Sequence, residues 1–398
     1  RTLPKQMAAD VFSNLESDVQ QVILESATDS ELSQIIEELY VDDAVDMLEE
    51  LPANVVKRVL KNATSETRTL INQYLQYPEN SAGSIMTAEF IDLRASMKVK
   101  DAIEHIRHTG DDSEAIYTCY VIDARRVLEG VVTVKELLLA KDDTLVSDLM
   151  ERDVISVGTL EDQEEVTRVM SKYDLLSLPV VDNEKRLVGI VTVDDAMDVM
   201  EQEATEDFEA MSGIHPSEKT YLKTSVFEMS KNRILWLLVL MISGMITGGI
   251  LSNFEAAISA LPLLVTFIPM LTDTGGNAGS QSSTMIIRGL ATGDLTIRDL
   301  PRVLWKEMRV ALMVGSVLSV VNFLRIGIQY GDWMIALVVS LTMMCTVIMA
   351  KVIGGILPLL ANALHIDPAI MAAPLITTIV DACSLMIFFG ISVALLPV

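Results

Sequence analysis

Cysteine, histidine and basic charge are all scarce in this chain, and each scarcity closes off a class of function. The three cysteines, Cys119, Cys345 and Cys383, are odd in number and two lie in apolar text. No disulfide framework is therefore implied, and a reducing compartment fits. Of the four histidines only His365 stands near an apolar segment. A Ser/His pair or a second catalytic group at membrane depth is thus missing, which argues against an intramembrane hydrolase and leaves no catalytic residue to name. Basic residues are outnumbered in one region only: residues 1–230 hold 47 Asp and Glu against 21 Lys and Arg, whereas residues 231–398 hold 8 against 9. Such an acidic surface does not displace counterions from phosphates, so nucleic acid is excluded; cations are the favoured partners, unless the charge only solvates the domain. No signal-peptide pattern opens the sequence, and Arg1 in place of methionine reads as a trimmed start.

What is present falls into blocks. Up to about Gln76 apolar residues recur at three and four, as in Ile35, Leu39, Val45, Leu48 and Leu51, which predicts short packed helices punctuated by Pro52 and Pro78. An internal repeat of about 60 residues follows. Ser84-Ile-Met-Thr87 is echoed by Asp148-Leu-Met-Glu151, and Val127-Leu-Glu-Gly-Val-Val-Thr-Val134 by Arg186-Leu-Val-Gly-Ile-Val-Thr-Val193. Each copy reads as helix, strand, turn, strand and helix, and over residues 83 to 203 the pair resembles tandem CBS modules. The predicted organisation is an acidic helical domain (1–82), two CBS units (83–146 and 147–203), a connecting helix (204–232) and a membrane domain (233–398).

Five apolar segments make up that last block: about 234–251, 256–287, 310–328, 333–360 and 368–398. Roughly 20 apolar residues cross a bilayer, so five spans are expected. Lys231 and Arg233 precede the first, and Arg288, Arg298, Arg302, Lys306 and Arg309 fill the second connection. The excess of positive charge puts both on the cytoplasmic side of an inner or plasma membrane, with the acidic domains cytoplasmic and the C-terminus outside. The fold class is therefore multidomain: an all-α N-terminal domain, tandem CBS α/β domains and an α-helical transmembrane domain of five spans.

Two features carry chemistry in the membrane block. Asp381 stands near the middle of the last segment, with Thr377, Thr378 and Ser384 at helical spacing. A carboxylate at that depth costs several kcal/mol or more unless it faces water, a cation or a hydrogen-bonding neighbour. The second feature is Leu271-Thr-Asp-Thr-Gly-Gly-Asn-Ala-Gly-Ser-Gln-Ser-Ser283, polar text inside an apolar segment. It is not a phosphate loop, because no lysine follows its glycines and no strand precedes them. Gly275, Gly276 and Gly279 permit close helix contact or a local break, and Pro262, Pro269, Pro358 and Pro374 predict further kinks, the pattern of discontinuous helices around an ion site.

The order of these parts resembles the MgtE family of magnesium channels. The resemblance rests on Pro269-Met-Leu-Thr-Asp-Thr-Gly-Gly-Asn-Ala-Gly-Ser-Gln281, the CBS pair, Leu39-Tyr-Val-Asp-Asp-Ala-Val-Asp-Met-Leu48 and Pro374-Leu-Ile-Thr-Thr-Ile-Val-Asp381. It implies a homodimer in membrane lipid, five spans per subunit, a pore on the two-fold axis lined by Asp381, and a wall formed by Gly275, Gly276, Asn277, Gln281, Ala373 and Pro374. Ala373 departs from the family pattern, which has Asn before this proline. The family further implies that Mg²⁺ closes the pore by bridging acidic groups. On matching positions these are Asp10, Asp42 and Asp46 in the helical domain, Asp174, Asp195 and Asp198 in the second CBS unit, Glu203, Glu206 and Asp207 on the connecting helix, and Asp367 before the last span. Each of these alone is as well read as a solvated surface charge. Thr192 and Asp195 fit the CBS pattern that holds an adenosine ribose, so ATP or a relative is an expected modulator; Glu136 makes the first unit the poorer match. Mg²⁺ is the expected ion, driven by the electrochemical gradient, with a broader transporter of Mn²⁺, Co²⁺ and Ni²⁺ or a membrane-anchored nucleotide sensor as alternatives.

Overall fold

The computed structural model describes residues 4–15, 17–216, 221–371 and 373–396. It divides into two bodies, residues 1–202 and 203–398.

The first body begins with six short helices: α1 (Lys5–Ser13), α2 (Ser17–Ser26), α3 (Asp29–Glu38), α4 (Val41–Glu50), α5 (Ala53–Asn62) and α6 (Ser65–Tyr74). Each buries one stripe, such as Leu32 and Ile36 on α3 or Val55 and Val59 on α5. Thr28 caps α3 with a reciprocal bond to Glu31, and Arg58 on α5 donates to the carbonyls of Leu24 and Ala27 and to Asp29. Orphan carbonyls at the end of α2 are thereby satisfied.

Next come β1 (Phe90–Leu93), α7 (Val99–Thr109), β2 (Ala115–Ile122), β3 (Leu128–Thr133), α8 (Val134–Leu139), β4 (Val157–Gly158), α9 (Gln163–Tyr173), β5 (Ser177–Val181) and β6 (Leu187–Thr192). They form two three-stranded sheets, β1-β2-β3 and β4-β5-β6, each with one parallel and one antiparallel pairing. The repeated residues explain how the copies interlock. Thr87 exchanges backbone bonds with Ile190 on β6, and Glu151 does the same with Val131 on β3. Gly130 and Gly189 make room for this: a Cβ at Gly130 would lie 2.8 Å from the Glu151 carbonyl, and one at Gly189 2.7 Å from that of Thr87. Tyr120 and Ser177 add a buried 2.7 Å hydrogen bond between the sheets.

α10 (Val193–Met211) follows β6 directly. The second body then holds α11 (Val226–Asn253), α12 (Glu255–Ala260), α13 (Ile268–Ala291), α14 (Leu300–Tyr330), α15 (Trp333–Ala363) and α16 (Ala373–Leu395). Among the described residues, four helical segments are long and apolar enough to cross a membrane: Val226–Asn253, Ile297–Tyr330, Trp333–Ala363 and Pro368–Leu395. α13 is of sufficient length but is the polar, glycine-rich one.

The predicted break at Pro262 occurs, where α12 ends and a short 3₁₀ stretch, Pro262–Phe267, leads into α13; those at the other prolines and at the glycines do not. α13 runs unbroken from Ile268 to Ala291, and α15 continues through Pro358. Pro269 and Pro374 lie in the first turns of α13 and α16, where proline has no intrahelical N–H to lose. The glycines serve contact instead of flexibility. A Cβ at Gly275 would meet Thr346 and Val380, at Gly276 Thr377, at Gly279 Ile376, and at Gly354 the Gly279 carbonyl at 2.3 Å. α13 is therefore a continuous helix pressed between α15 and α16.

Candidate functional site

Two acidic clusters and one polar helix face collect most of the singled-out residues. The first cluster builds on helix starts. Asp42 lies in the first turn of α4 and Asp195 in the first turn of α10, positions where the free N–H groups of a helix favour negative charge. Glu114 stands immediately before β2. One ligand oxygen from each of the three lies within 4.8 Å of the others. Asp42 is 8% exposed, and Asp42 Oδ1 and Glu114 Oε2 are buried without a hydrogen-bond partner. Thr192, at the end of β6, donates to Asp195 and stands 3.3 Å from Glu114.

The electrostatics follow from that crowding. Burial holds the Asp42 carboxyl well above the usual range, with Glu114, Asp195, Asp43 and Glu89 adding repulsion. Burial likewise pushes Glu114 to about 7 and Asp195 to about 6, each with help from neighbouring carboxylates. Three carboxylates this close must take up a proton or share a cation. Octahedral Mg²⁺ with ligands at about 2.1 Å spaces its oxygens about 2.9 to 4.2 Å apart, so modest rotation of these side chains supplies the geometry.

The second cluster lies in the second body. Glu206 and Asp207 on α10 stand near Asp367, whose Oδ1 accepts the Ala369 N–H at 2.8 Å, and Glu203 stands near both of them. Burial first, then Asp367, Glu203 and Glu206, push Asp207 to about 6. Glu206 is raised by burial, Glu203 and Asp367, with His215 opposing.

Along α13, Asp273, Asn277 and Gln281 form an exposed stripe, while Gly275, Gly276 and Gly279 are buried on the opposite side. Asn277 donates to Asp273 at 3.1 Å. Asp381, partly buried on α16, has Asp273 as its charged neighbour, and Pro374 opens that helix at its other end. Thr377 donates to the Pro374 carbonyl and packs on Gly276.

Other expectations fare differently. Thr192, 3% exposed, shares its hydroxyl between Asp195 and Glu114, and Asp195 belongs to the cluster with Asp42. Asp46, Asp174 and Asp198 are exposed and join no group of three carboxylates within metal reach among the described residues. The side chains of Asp10 and Ala373 lie outside the described residues.

Two contributors escape the sequence. Glu114 belongs to an acidic run, Asp111-Asp-Ser-Glu114, and nothing in its spacing marks it. Lys351 is buried in the middle of α15, and its isolation in apolar text was a usable signal.

The comparisons follow the same division. A family model described as MgtE, divalent cation transporter, matches residues 268–391; the MgtE intracellular N domain matches 1–80; the CBS domain matches 82–143 and 146–202. The magnesium transporter MgtE of Thermus thermophilus is 39% identical over 400 residues, 99% of this chain and 88% of that protein. Its namesake in Bacillus subtilis is 33% identical over 385 residues, 97% of this chain and 85% of that one. Among solved structures, the soluble part of a magnesium transporter matches at 36% identity and TM-score 0.49, covering 51% of this chain and 80% of that one. The cytosolic domain of the Mg²⁺ channel MgtE in complex with ATP matches at 40% identity and TM-score 0.47, over 50% and 81%.

Proposed function

This chain belongs to the MgtE family, and we propose that it conducts Mg²⁺ down its electrochemical gradient through a pore lined by Asp381, closing when Mg²⁺ occupies its acidic domains. The full-length likeness to magnesium transporters supports transport over catalysis. In this reading α13 is the fifth span, the assembly is a homodimer in membrane lipid with the pore on its two-fold axis, the acidic domains are cytoplasmic and the C-terminus is outside. The domain boundaries expected above serve as its parts, with residues 204–232, which take in the end of α10 and the start of α11, as the connection.

Mg²⁺ releases water reluctantly, so a pore carboxylate attracts the hydrated ion without stripping it. The α13 stripe of Asp273, Asn277 and Gln281 then offers oxygen and amide groups to that hydration shell, while the buried glycines seat α16.

The observation that carries the gating half is the Asp42–Glu114–Asp195 cluster, buried and short of hydrogen bonds. A bound divalent cation turns its mutual repulsion into attraction. Glu203, Glu206, Asp207 and Asp367 supply a second, more exposed set of carboxylates, and Asp10, Asp46, Asp174 and Asp198 the remaining charge. A nucleotide modulator, ATP or a relative, belongs in the first CBS module: Thr133 and Glu136 are exposed there, and the ring of Tyr117 precedes the ladder partner of Thr133.

Mg²⁺ influx into proteoliposomes tests the proposal. Wild-type protein conducts, Asp381→Ala falls to background, and millimolar Mg²⁺ on the cytoplasmic face suppresses flux; retained flux in Asp381→Ala sinks the pore assignment. Competition by Mn²⁺, Co²⁺ and Ni²⁺ in the same assay decides between a Mg²⁺ channel and a general divalent transporter, since oxygen ligands accept all four.

A further inference from the structure

Among the described residues of the second body, one charged side chain is buried away from both the pore carboxylate and the acidic clusters. Lys351, on α15, is 4% exposed. Its Nζ donates to Ser282 Oγ at 3.1 Å and to the Ala278 carbonyl at 3.4 Å, both on α13. Ser282 in turn donates to Glu307 Oε2 on α14 at 2.6 Å, and Glu307 stands 3.8 Å from the ammonium. Three helices thus meet in one polar knot inside apolar surroundings. The position of the knot is what gives it a role. Ala350 and Gly354, which flank Lys351 on α15, both press against α13: a Cβ on Gly279 would lie 3.2 Å from the Ala350 carbonyl, and one on Gly354 3.2 Å from Ser282 Cβ.

From there a continuous set of contacts leads to the pore carboxylate. The same glycine face of α13 seats α16, with Gly279 against Ile376, Gly276 against Thr377, and Gly275 against Val380 and Ser384. Asp381 follows Val380 directly. Sliding α13 along α15 by even part of a turn would break the Lys351–Ser282 bond and move the surface on which α16 rests. Packed glycine faces have few alternative fits, so such a shift is a step and not a gradual drift.

We propose that Lys351, acting through Ser282 and Glu307, is a positioning residue for permeation: it locks the register of α13 against α15 and thereby sets where Asp381 meets the hydrated ion. The inference rests on the reading of Asp381 as the pore carboxylate. Charge on Lys351 serves the lock and not the ion, for the ammonium is enclosed by Glu307, Ser282 and Ala278.

The test uses full-length protein in liposomes, with Mg²⁺ alone as the probe, and reads both half-saturation and maximal flux alongside thermal unfolding in detergent. Lys351→Met by itself strands the Glu307 charge and invites misfolding. The informative variants are therefore the double change K351M/E307Q, which removes both charges together, and Ser282→Ala, which keeps the ion pair and the longer bond to the Ala278 carbonyl but cuts the side-chain tie to α13. Both are expected to unfold near the wild-type temperature while half-saturation for Mg²⁺ rises about fivefold. Unchanged half-saturation in folded variants overturns the proposal, as does a loss of flux that merely tracks the amount of folded protein. Absence of flux in the wild type, or full flux in Asp381→Ala, defeats instead the pore reading on which it stands.

Discussion

At the scale of single residues, the Asp42–Glu114–Asp195 cluster makes a pH prediction whose sign is fixed by burial. Unfolded, these carboxyls titrate near 3.8, 4.5 and 3.8; folded, Asp195 is pushed to about 6, Glu114 to about 7, and Asp42 upward as well. The folded body thus binds more protons than the unfolded chain between about pH 4 and pH 7. The stability these protons confer is full at the acid end and lost as pH rises through the folded values. Mg²⁺ replaces the protons, so the loss should vanish in its presence. Amide exchange of α4 and the start of α10 measures this in the full chain. Mg²⁺ should add about 2.7 kcal/mol of protection at about a hundred times its dissociation constant, and Asp42→Asn should abolish the gain. Equal Mg²⁺ protection in Asp42→Asn would count against the cluster as a cation site. Asp42 and Asp195 were legible in the sequence through the family pattern. Glu114 was not, because only the fold brings the start of β2 up to α4 and α10.

At the scale of elements, the informative misreading concerns α13. Its composition suggests a loosened backbone, since glycine lowers helix propensity by roughly 1 kcal/mol per residue. The structure overrides propensity because each glycine is a contact point, and neighbours at α15 and α16 return more in close packing than the helix loses in backbone entropy. Gly354→Ala makes this measurable. The added methyl meets the Gly279 carbonyl at 2.3 Å, a backbone atom that cannot rotate away, so unfolding in detergent should come earlier by roughly 1–3 kcal/mol. Gly248→Ala on α11 has nothing within 4 Å and should leave the same melt unchanged or slightly raised. Matching losses at both positions would refute the contact argument. The prolines teach the same lesson, for Pro269 and Pro374 mark where helices begin, and Pro358 sits inside one.

At the scale of the whole molecule, the charge imbalance of residues 1–230 against residues 231–398 is the controlling fact. Excess like charge opposes compactness, and divalent cations relieve it by binding as well as by screening. Limited proteolysis separates the two: Mg²⁺ at low millimolar concentration should slow cleavage of the acidic part several-fold more than NaCl of equal ionic strength. Cleavage that follows ionic strength alone would leave no role for specific sites. By itself the sequence determined the order of the parts, the interlocking repeat, the acidic character of one half and the apolar character of the other, and the lone Asp381. Each of these is a matter of local composition or period, which survives without knowledge of distant neighbours. Only the tertiary structure decided that a glycine-rich stretch is a continuous helix, that Glu114 joins Asp42 and Asp195 in one carboxylate cluster, and that Lys351 and Glu307 share a buried knot with Ser282. Those outcomes depend on which surfaces meet across long separations in the chain, and burial, not residue type, sets the energy of a charge once they have met.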